Sequence, residues 1–346
     1  METRVVNKGQ LPELLDRLAR DYALFAPVRE EETVTLFRQV AGAKDIDLNY
    51  TNSTVSPKGC LFPQTEKTLS YTVTSESLEI KKNEAEQKTV LFGIRPCDLR
   101  AILALDPVFT GKFIDDYYVS KRENTVLIGL SCQKVLSTCF CHAFNSSPCD
   151  GSGADIMLTE IGDVYLAEIN TEKGRQLAES YGQYFRQEDT SSLTAAKAEL
   201  EKKLLGQFTR HVELDGVKKL LDENFELPYW NKLFRKCLGC GICTYVCPTC
   251  HCFDIFDLTT GLFSGNRYRC WDSCMFPDFT KMAGGHNPRP TKKERVRNRF
   301  MHKLKYHMDR YNLDGCVGCG RCIAKCPVNI DITAIIKDLR EVAQNV

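Results

Sequence analysis

The chain has 346 residues, 43% hydrophobic and 26% charged, which is typical of a folded protein with room for two domains. Its 46 lysines and arginines nearly balance its 45 aspartates and glutamates, so no overall charge attracts it to nucleic acid or to a membrane. No apolar run is long enough for a membrane helix, and the N-terminal segment lacks the apolar core of a signal peptide. We therefore expect a cytoplasmic protein whose 18 cysteines bind metal or do redox chemistry rather than form disulfides.

The first half of the chain is predicted to form an α/β unit. The leucine and alanine spacing of residues 1–22 predicts an amphipathic helix that starts at once. Apolar runs at 89–94 and 125–129 predict two buried strands, and Asp98 is predicted to cap a helix after the first of them. Residues 155–169 predict a β-hairpin.

Both predicted strands end in loops that carry cysteine. Cys97 follows the first strand, Cys132 follows the second, and Cys139 and Cys141 come shortly after. Since the carboxyl ends of parallel strands meet at one edge of a sheet, these thiols predict a [4Fe–4S] site there. The alternative is that all four are scattered structural cysteines, because free cysteine is often buried.

A long segment without cysteine separates the two halves. Positions 150–236 contain none, and the helical period of residues 171–224 predicts two or three connecting helices. Further helices are predicted over 290–312, with Thr291 as a cap, and over 331–343. We predict an α+β fold with an α/β domain over 1–170, a helical connector over 171–230, and an α-helical, ferredoxin-like two-cluster domain over 231–346.

The C-terminal part contains one cysteine motif twice. The sequence CLGCGICTYVCP at 237–248 recurs as CVGCGRCIAKCP at 316–327. This is the ligand run of bacterial [4Fe–4S] ferredoxins, in which the fourth cysteine ligates the other cluster. We therefore assign two [4Fe–4S] clusters, one to Cys237, Cys240, Cys243 and Cys326, and the other to Cys316, Cys319, Cys322 and Cys247.

Two other interpretations of the motifs stay open. Pairs of cysteines at this spacing also bind zinc, and the basic stretch 281–310 would then suit nucleic acid. We favour instead a stretch that neutralises the clusters and docks acidic redox partners, with a solvated helix face as the plain alternative. A chain that reduces a small substrate directly at a cluster is the other rival.

Several further motifs resemble one protein family. They are YRCWDSCMF at 268–276, MAGGHNPRPTKKERVRNRF at 282–300, CPTCHC at 247–252, RPCD at 95–98 and CFC at 139–141. Together they resemble the iron–sulfur beta subunit of cytosolic nickel–iron sulfhydrogenases and the A subunit of anaerobic sulfite reductases. The resemblance implies an electron-transfer subunit in an anaerobe rather than a catalyst alone. Its implied partners are a flavin- and NAD(P)-binding, diaphorase-type subunit and a second catalytic subunit of hydrogenase or sulfite reductase type.

The same resemblance extends the set of metal ligands. Besides both repeats, it maps onto Cys97, Cys132, Cys139, Cys141, Cys250, Cys252 and Cys274. Cys270 departs from the family pattern. This departure weakens the case for a four-thiol metal site made of Cys250, Cys252, Cys270 and Cys274. It leaves Cys97, Cys132, Cys139 and Cys141 as the better complete set for a third [4Fe–4S] cluster. No residue is predicted to act as a general acid, base or nucleophile.

Overall fold

The computed structural model describes residues 2–83 and 87–344, which form two sheets and a group of helices. The mixture confirms the α+β class. Among the described residues, the larger sheet has seven strands in the spatial order β1-β9-β8-β7-β6-β2-β3. Its strands are β1 (Glu2–Asn7), β2 (Ala23–Glu31), β3 (Val34–Gln39), β6 (Thr89–Ile94), β7 (Thr125–Leu130), β8 (Ile156–Ile161) and β9 (Val164–Ile169).

The central strands of this sheet confirm the predicted ones. β6 and β7 are parallel neighbours, and both read as continuous apolar runs because each is covered on two faces. The predicted hairpin is β8 with β9. The helix expected from the first residue is wrong, because Val5 and Val6 are buried in β1 against β9, and the helix begins only at Leu11.

The smaller sheet joins the two halves of the chain. Its strands lie in the order β10-β11-β4-β5. They are β4 (Thr65–Val73), β5 (Leu78–Lys82), β10 (Phe253–Gly261) and β11 (Ser264–Trp271). The α-helical character predicted for residues 231–346 is wrong where β10 and β11 form a hairpin. β11 pairs with β4 along its length, so a partner far away in sequence stabilises the hairpin.

The helices cover the larger sheet and surround the cysteine repeats. Three of them, α4 to α6, confirm the helices predicted between the halves. The α-helices of the described residues are α1 (Leu11–Asp21), α2 (Pro96–Phe109), α3 (Asp116–Glu123), α4 (Glu172–Ser180), α5 (Ser191–Leu205), α6 (Val217–Glu223), α7 (Tyr229–Lys236), α8 (Ile242–Tyr245), α9 (Lys292–Met301), α10 (His307–Tyr311), α11 (Arg321–Ala324) and α12 (Ile332–Gln344). Across the described ranges, none of these helices has the length and apolarity needed to cross a membrane. The domain boundaries at 170 and 230 stay predictions.

Two helix starts were predicted from capping residues. The predicted cap at Asp98 is wrong: α2 begins at Pro96 with Arg95 as its N-cap, and the Asp98 carboxylate lies in the first turn. The cap at Thr291 is confirmed, since Thr291 and Glu294 form a capping box at the start of α9. A π-helical turn over His302–Tyr306 then links α9 to α10, so the predicted long helix is continuous but not regular.

Candidate metal centres

The first cysteine repeat surrounds one cavity together with the end of the second. Cys237, Cys240 and Cys243 line it with Cys322 and Cys326. The loop can turn this tightly because Gly239 and Gly241 adopt positive φ angles of 73° and 75°, which residues with a Cβ rarely adopt. The Gly239 amide donates a hydrogen bond to Cys237 Sγ at 3.3 Å. An amide directed at sulfur stabilises negative charge there.

The second repeat has the same loop geometry, and the end of the first repeat lies beside it. Gly318 and Gly320 have positive φ angles, as their counterparts do. Burial raises the pKa of the Cys316 thiol to about 12, and Cys322 and Cys247 are among its charged neighbours. Cys247 also interacts with Cys319 and Cys322. Each repeat therefore places its trailing cysteine next to the other repeat.

Four cysteines of the first half lie around a second cavity. Cys97, Cys132, Cys139 and Cys141 line it, as expected for loops that follow the neighbouring parallel strands β6 and β7. Burial raises the pKa of the Cys132 thiol to about 11. Cys319 of the second repeat lines the same cavity, so the two halves of the chain meet at this point.

The second repeat packs on the first-half loops without space between the backbones. The amide of Phe140 donates to the Gly318 carbonyl at 2.8 Å. A Cβ added to Gly318 would lie 2.5 Å from backbone atoms of Phe140 and Cys141. Only glycine at this position permits such close contact between the two cysteine loops.

We predict that Gly318→Ala destabilises the protein more than Gly162→Ala. Both glycines have positive φ, so each alanine costs about 1–2 kcal/mol of backbone strain. Gly162 has no atom within 4 Å of an added Cβ, whereas at Gly318 the two cysteine loops must also separate. Thermal unfolding and iron content of the full chain measure this. Equal losses in the two variants would show that the contact at Gly318 contributes nothing.

Part of the basic stretch turns inward towards the cysteines. Arg295, Arg297, Arg299 and Lys303 are buried, and Arg299 lies against the thiols of Cys243 and Cys322. Burial by itself lowers the pKa of Lys303, yet the thiolates of Cys247 and Cys250 raise it above its ordinary value. Arg299 and Lys303 are thus placed to offset negative charge on the cysteine sulfurs, whereas Arg295 donates to backbone carbonyls and Arg297 pairs with Glu226. A solvated face therefore does not describe this part of the stretch.

The remaining cysteines of the second half differ in what they contact. Cys252 is in hydrogen-bonding contact with Cys274, and Cys250 with Cys247. Lys58 donates to the carbonyls of Cys247 and Cys250 at 2.9 and 2.7 Å. Cys270 instead lies on β11, paired with Asp254.

The residues fit iron–sulfur clusters chemically. Thiols surround two of the cavities, backbone amides donate to sulfur, and buried cations lie nearby. In residues 2–83 and 87–344, no three His, Cys, Asp or Glu side chains converge closely enough to hold a single metal ion. The thiols instead line the walls of the two cavities.

The comparisons with known proteins agree with this chemistry. A family model described as a 4Fe-4S dicluster domain matches residues 236–330. The chain is 32% identical over 330 residues to Sulfhydrogenase 2 subunit beta from Pyrococcus furiosus, which covers 95% of this chain and 96% of that protein. The chain belongs to the family of sulfhydrogenase beta subunits. No solved structure matches it. The predicted family is thereby confirmed, and the chain is an iron–sulfur protein of electron-transfer type.

In this member of the sulfhydrogenase beta-subunit family, three histidines lie together beside the cysteines. They are His251, His302 and His307. Their ring centroids lie 5.2 Å (His251 to His302) and 6.0 Å (His302 to His307) apart, His307 is buried, and His302 Nε2 has no hydrogen-bond partner. Their grouping depends on how the π-helical turn and the start of α10 pack against the 250–252 loop, which no local pattern reveals.

Sequence reasoning also missed three residues that contact the cysteine loops. Lys58 has no sequence signal. Asp98 and Arg321 form a buried ion pair between the first-half loops and the second repeat. One signal for Arg321 was present: it occupies the position that Ile242 has in the first repeat.

Proposed function

We propose that the chain is the iron–sulfur relay of a multi-subunit oxidoreductase in the cytoplasm of an anaerobe. It carries electrons between a flavin- and NAD(P)-binding, diaphorase-type subunit and a second catalytic subunit of hydrogenase or sulfite reductase type. One observation carries this proposal: the three cysteine sets form a continuous series. Cys319 connects the first-half cavity to the second repeat, and Cys322 and Cys326 connect the second repeat to the first.

The proposed ligands follow from this series. A [4Fe–4S] cluster held by four thiolates accepts and returns one electron. Two repeat sites with exchanged trailing cysteines and a first-half site give three such stations. The third set is Cys97, Cys132, Cys139 and Cys141.

The two ends of the series reach the surface at different places. At one end Cys240 is exposed, and the neighbouring Leu238 is 64% exposed. At the other end Leu136, close to Cys139, is 38% exposed. We propose that the two partner subunits contact the chain at these two ends.

The ligand role that the family resemblance implies for Cys250, Cys252 and Cys274 stays a prediction. Cys250 lies beside Cys247, and Cys252 lies beside Cys274. Cys250 and Cys252 are both close to Lys58 and Lys303. Iron in excess of that needed for three clusters would support this role.

Anaerobic affinity purification of the full chain tests the relay function. We expect a flavin-containing subunit that oxidises NAD(P)H and a hydrogenase or sulfite reductase subunit to co-purify. The isolated chain should accept electrons from dithionite without consuming hydrogen or sulfite. Turnover by the isolated chain would instead support the rival that reduces a small substrate at its own cluster. Retention of nucleic acid by a colourless protein would support the zinc alternative.

A further inference from the structure

An ion pair is buried where the two halves of the chain meet. The side chains of Arg321 and Asp98 are only 3% and 1% exposed. Arg321 Nη1 donates to Asp98 Oδ1 at 2.8 Å, and Nη2 donates to Oδ2 at 2.6 Å. This two-pronged geometry fixes the relative orientation of the groups as well as their distance.

A third segment completes the hydrogen bonding of the pair. Arg321 Nε donates to the Ser53 carbonyl at 2.8 Å, and Nη2 donates to Ser53 Oγ at 2.9 Å. Ser56 Oγ donates to Asp98 Oδ1 at 3.0 Å. These partners offset part of the cost of burying two charges. Even so, a buried ion pair often stabilises a fold no more than apolar residues of similar volume would. Its benefit is a defined geometry among three chain segments.

The pair lies between two proposed cluster sites. Asp98 follows Cys97, and Arg321 lies between Cys319 and Cys322. Cys97 and Cys319 line one cavity and pack in one apolar cluster. The first repeat has Ile242 in place of Arg321, so this pairing is available only to the second repeat.

We propose that Asp98 and Arg321 are positioning residues that hold the Cys97 loop and the Cys319 loop at a fixed separation. Electrons then cross between the two halves of the chain at this junction. The inference rests on the proposed function, because it requires clusters at both sites. The pair is also neutral as a whole, so its two members offset each other's effect on nearby cluster charge.

Neutralising one member of the pair at a time should shift the midpoint potentials of the clusters in opposite directions, which a purely structural role would not do. Asp98→Asn leaves Arg321 as an unpaired positive charge, which favours the reduced, more negative form of both neighbouring clusters. Arg321→Gln leaves Asp98 as an unpaired negative charge, which disfavours that form. We therefore expect midpoint potentials to shift upward in the first variant and downward in the second, with smaller shifts in the double variant.

The test uses the full chain, reconstituted anaerobically and followed by EPR during redox titration. We also expect weaker spin–spin interaction between the two clusters in all three variants. Asp257→Asn and Arg267→Gln provide the matched control, since this exposed pair has the same two-pronged geometry at 2.7 and 2.8 Å. Unchanged spectra, or shifts in one direction in both single variants, would overturn the inference.

Milder variants keep the test decisive if the single variants lose their clusters. Arg321→Lys keeps the charge but loses the fork, and Asn52→Ala removes a 2.9 Å bond from Asn52 Nδ2 to the Cys319 carbonyl. Both should weaken the spin interaction with little change in potential, and an unchanged interaction in both refutes the inference. A wild-type chain with only two clusters refutes the third proposed site and this inference together. Three clusters with unaffected variants refute the inference alone.

Discussion

Replacing Cys326 with alanine is expected to remove the cluster of the first repeat, although Cys326 belongs to the second. The chain should lose about four iron atoms, the content of one cluster. The physical reason is position: Cys326 lines the cavity of Cys237, Cys240 and Cys243. Cys247→Ala should remove the cluster of the second repeat for the corresponding reason.

EPR spectra of reference variants identify which cluster is lost. Cys240→Ala defines the spectrum without the first-repeat cluster, and Cys319→Ala defines the spectrum without the second. The spectrum of Cys326→Ala should match that of Cys240→Ala. Cys60→Ala is the control, since Cys60 lines neither of the two cysteine cavities described above and should keep all iron. A match between Cys326→Ala and Cys319→Ala would refute the exchange.

Replacing Cys132 with alanine is expected to remove a third cluster and leave both repeat clusters intact. The loss should again be about four iron atoms per chain. Cys132 follows β7 and lines the first-half cavity with three other local cysteines. Cys149→Ala is a close control, because Cys149 is buried nearby without lining that cavity.

The adjacent pair of thiols in that site sharpens the prediction. Cys139 and Cys141 are separated only by Phe140, and Cys319 offers a fifth thiol at the same cavity. Our assignment requires both Cys139→Ala and Cys141→Ala to lose the cluster. If one of them keeps its full iron content, Cys319 completes the site, and the assignment of Cys319 to the second repeat is wrong.

The features predicted well from the sequence are those encoded in short segments. Strand β6 is one apolar run, and the cysteine repeats carry their ligand spacing and turn glycines within a dozen residues. These signals need no knowledge of distant contacts. The same holds for the capping box at Thr291.

The features that were missed depend on partners far away in sequence. β10 is exposed along its length and is held by β11, which in turn pairs with β4 nearly two hundred residues earlier. The sequence predicts a capping role for the Asp98 carboxylate, but that carboxylate accepts hydrogen bonds from the distant Arg321 instead. In both cases tertiary pairing overrides the local preference.

The most direct measurement is the content of iron, acid-labile sulfide and zinc in the full chain purified without oxygen. We expect about twelve iron atoms and as many sulfides per chain, with at least about eight iron atoms from the two repeats, and little zinc. A colourless preparation rich in zinc and poor in iron would contradict it.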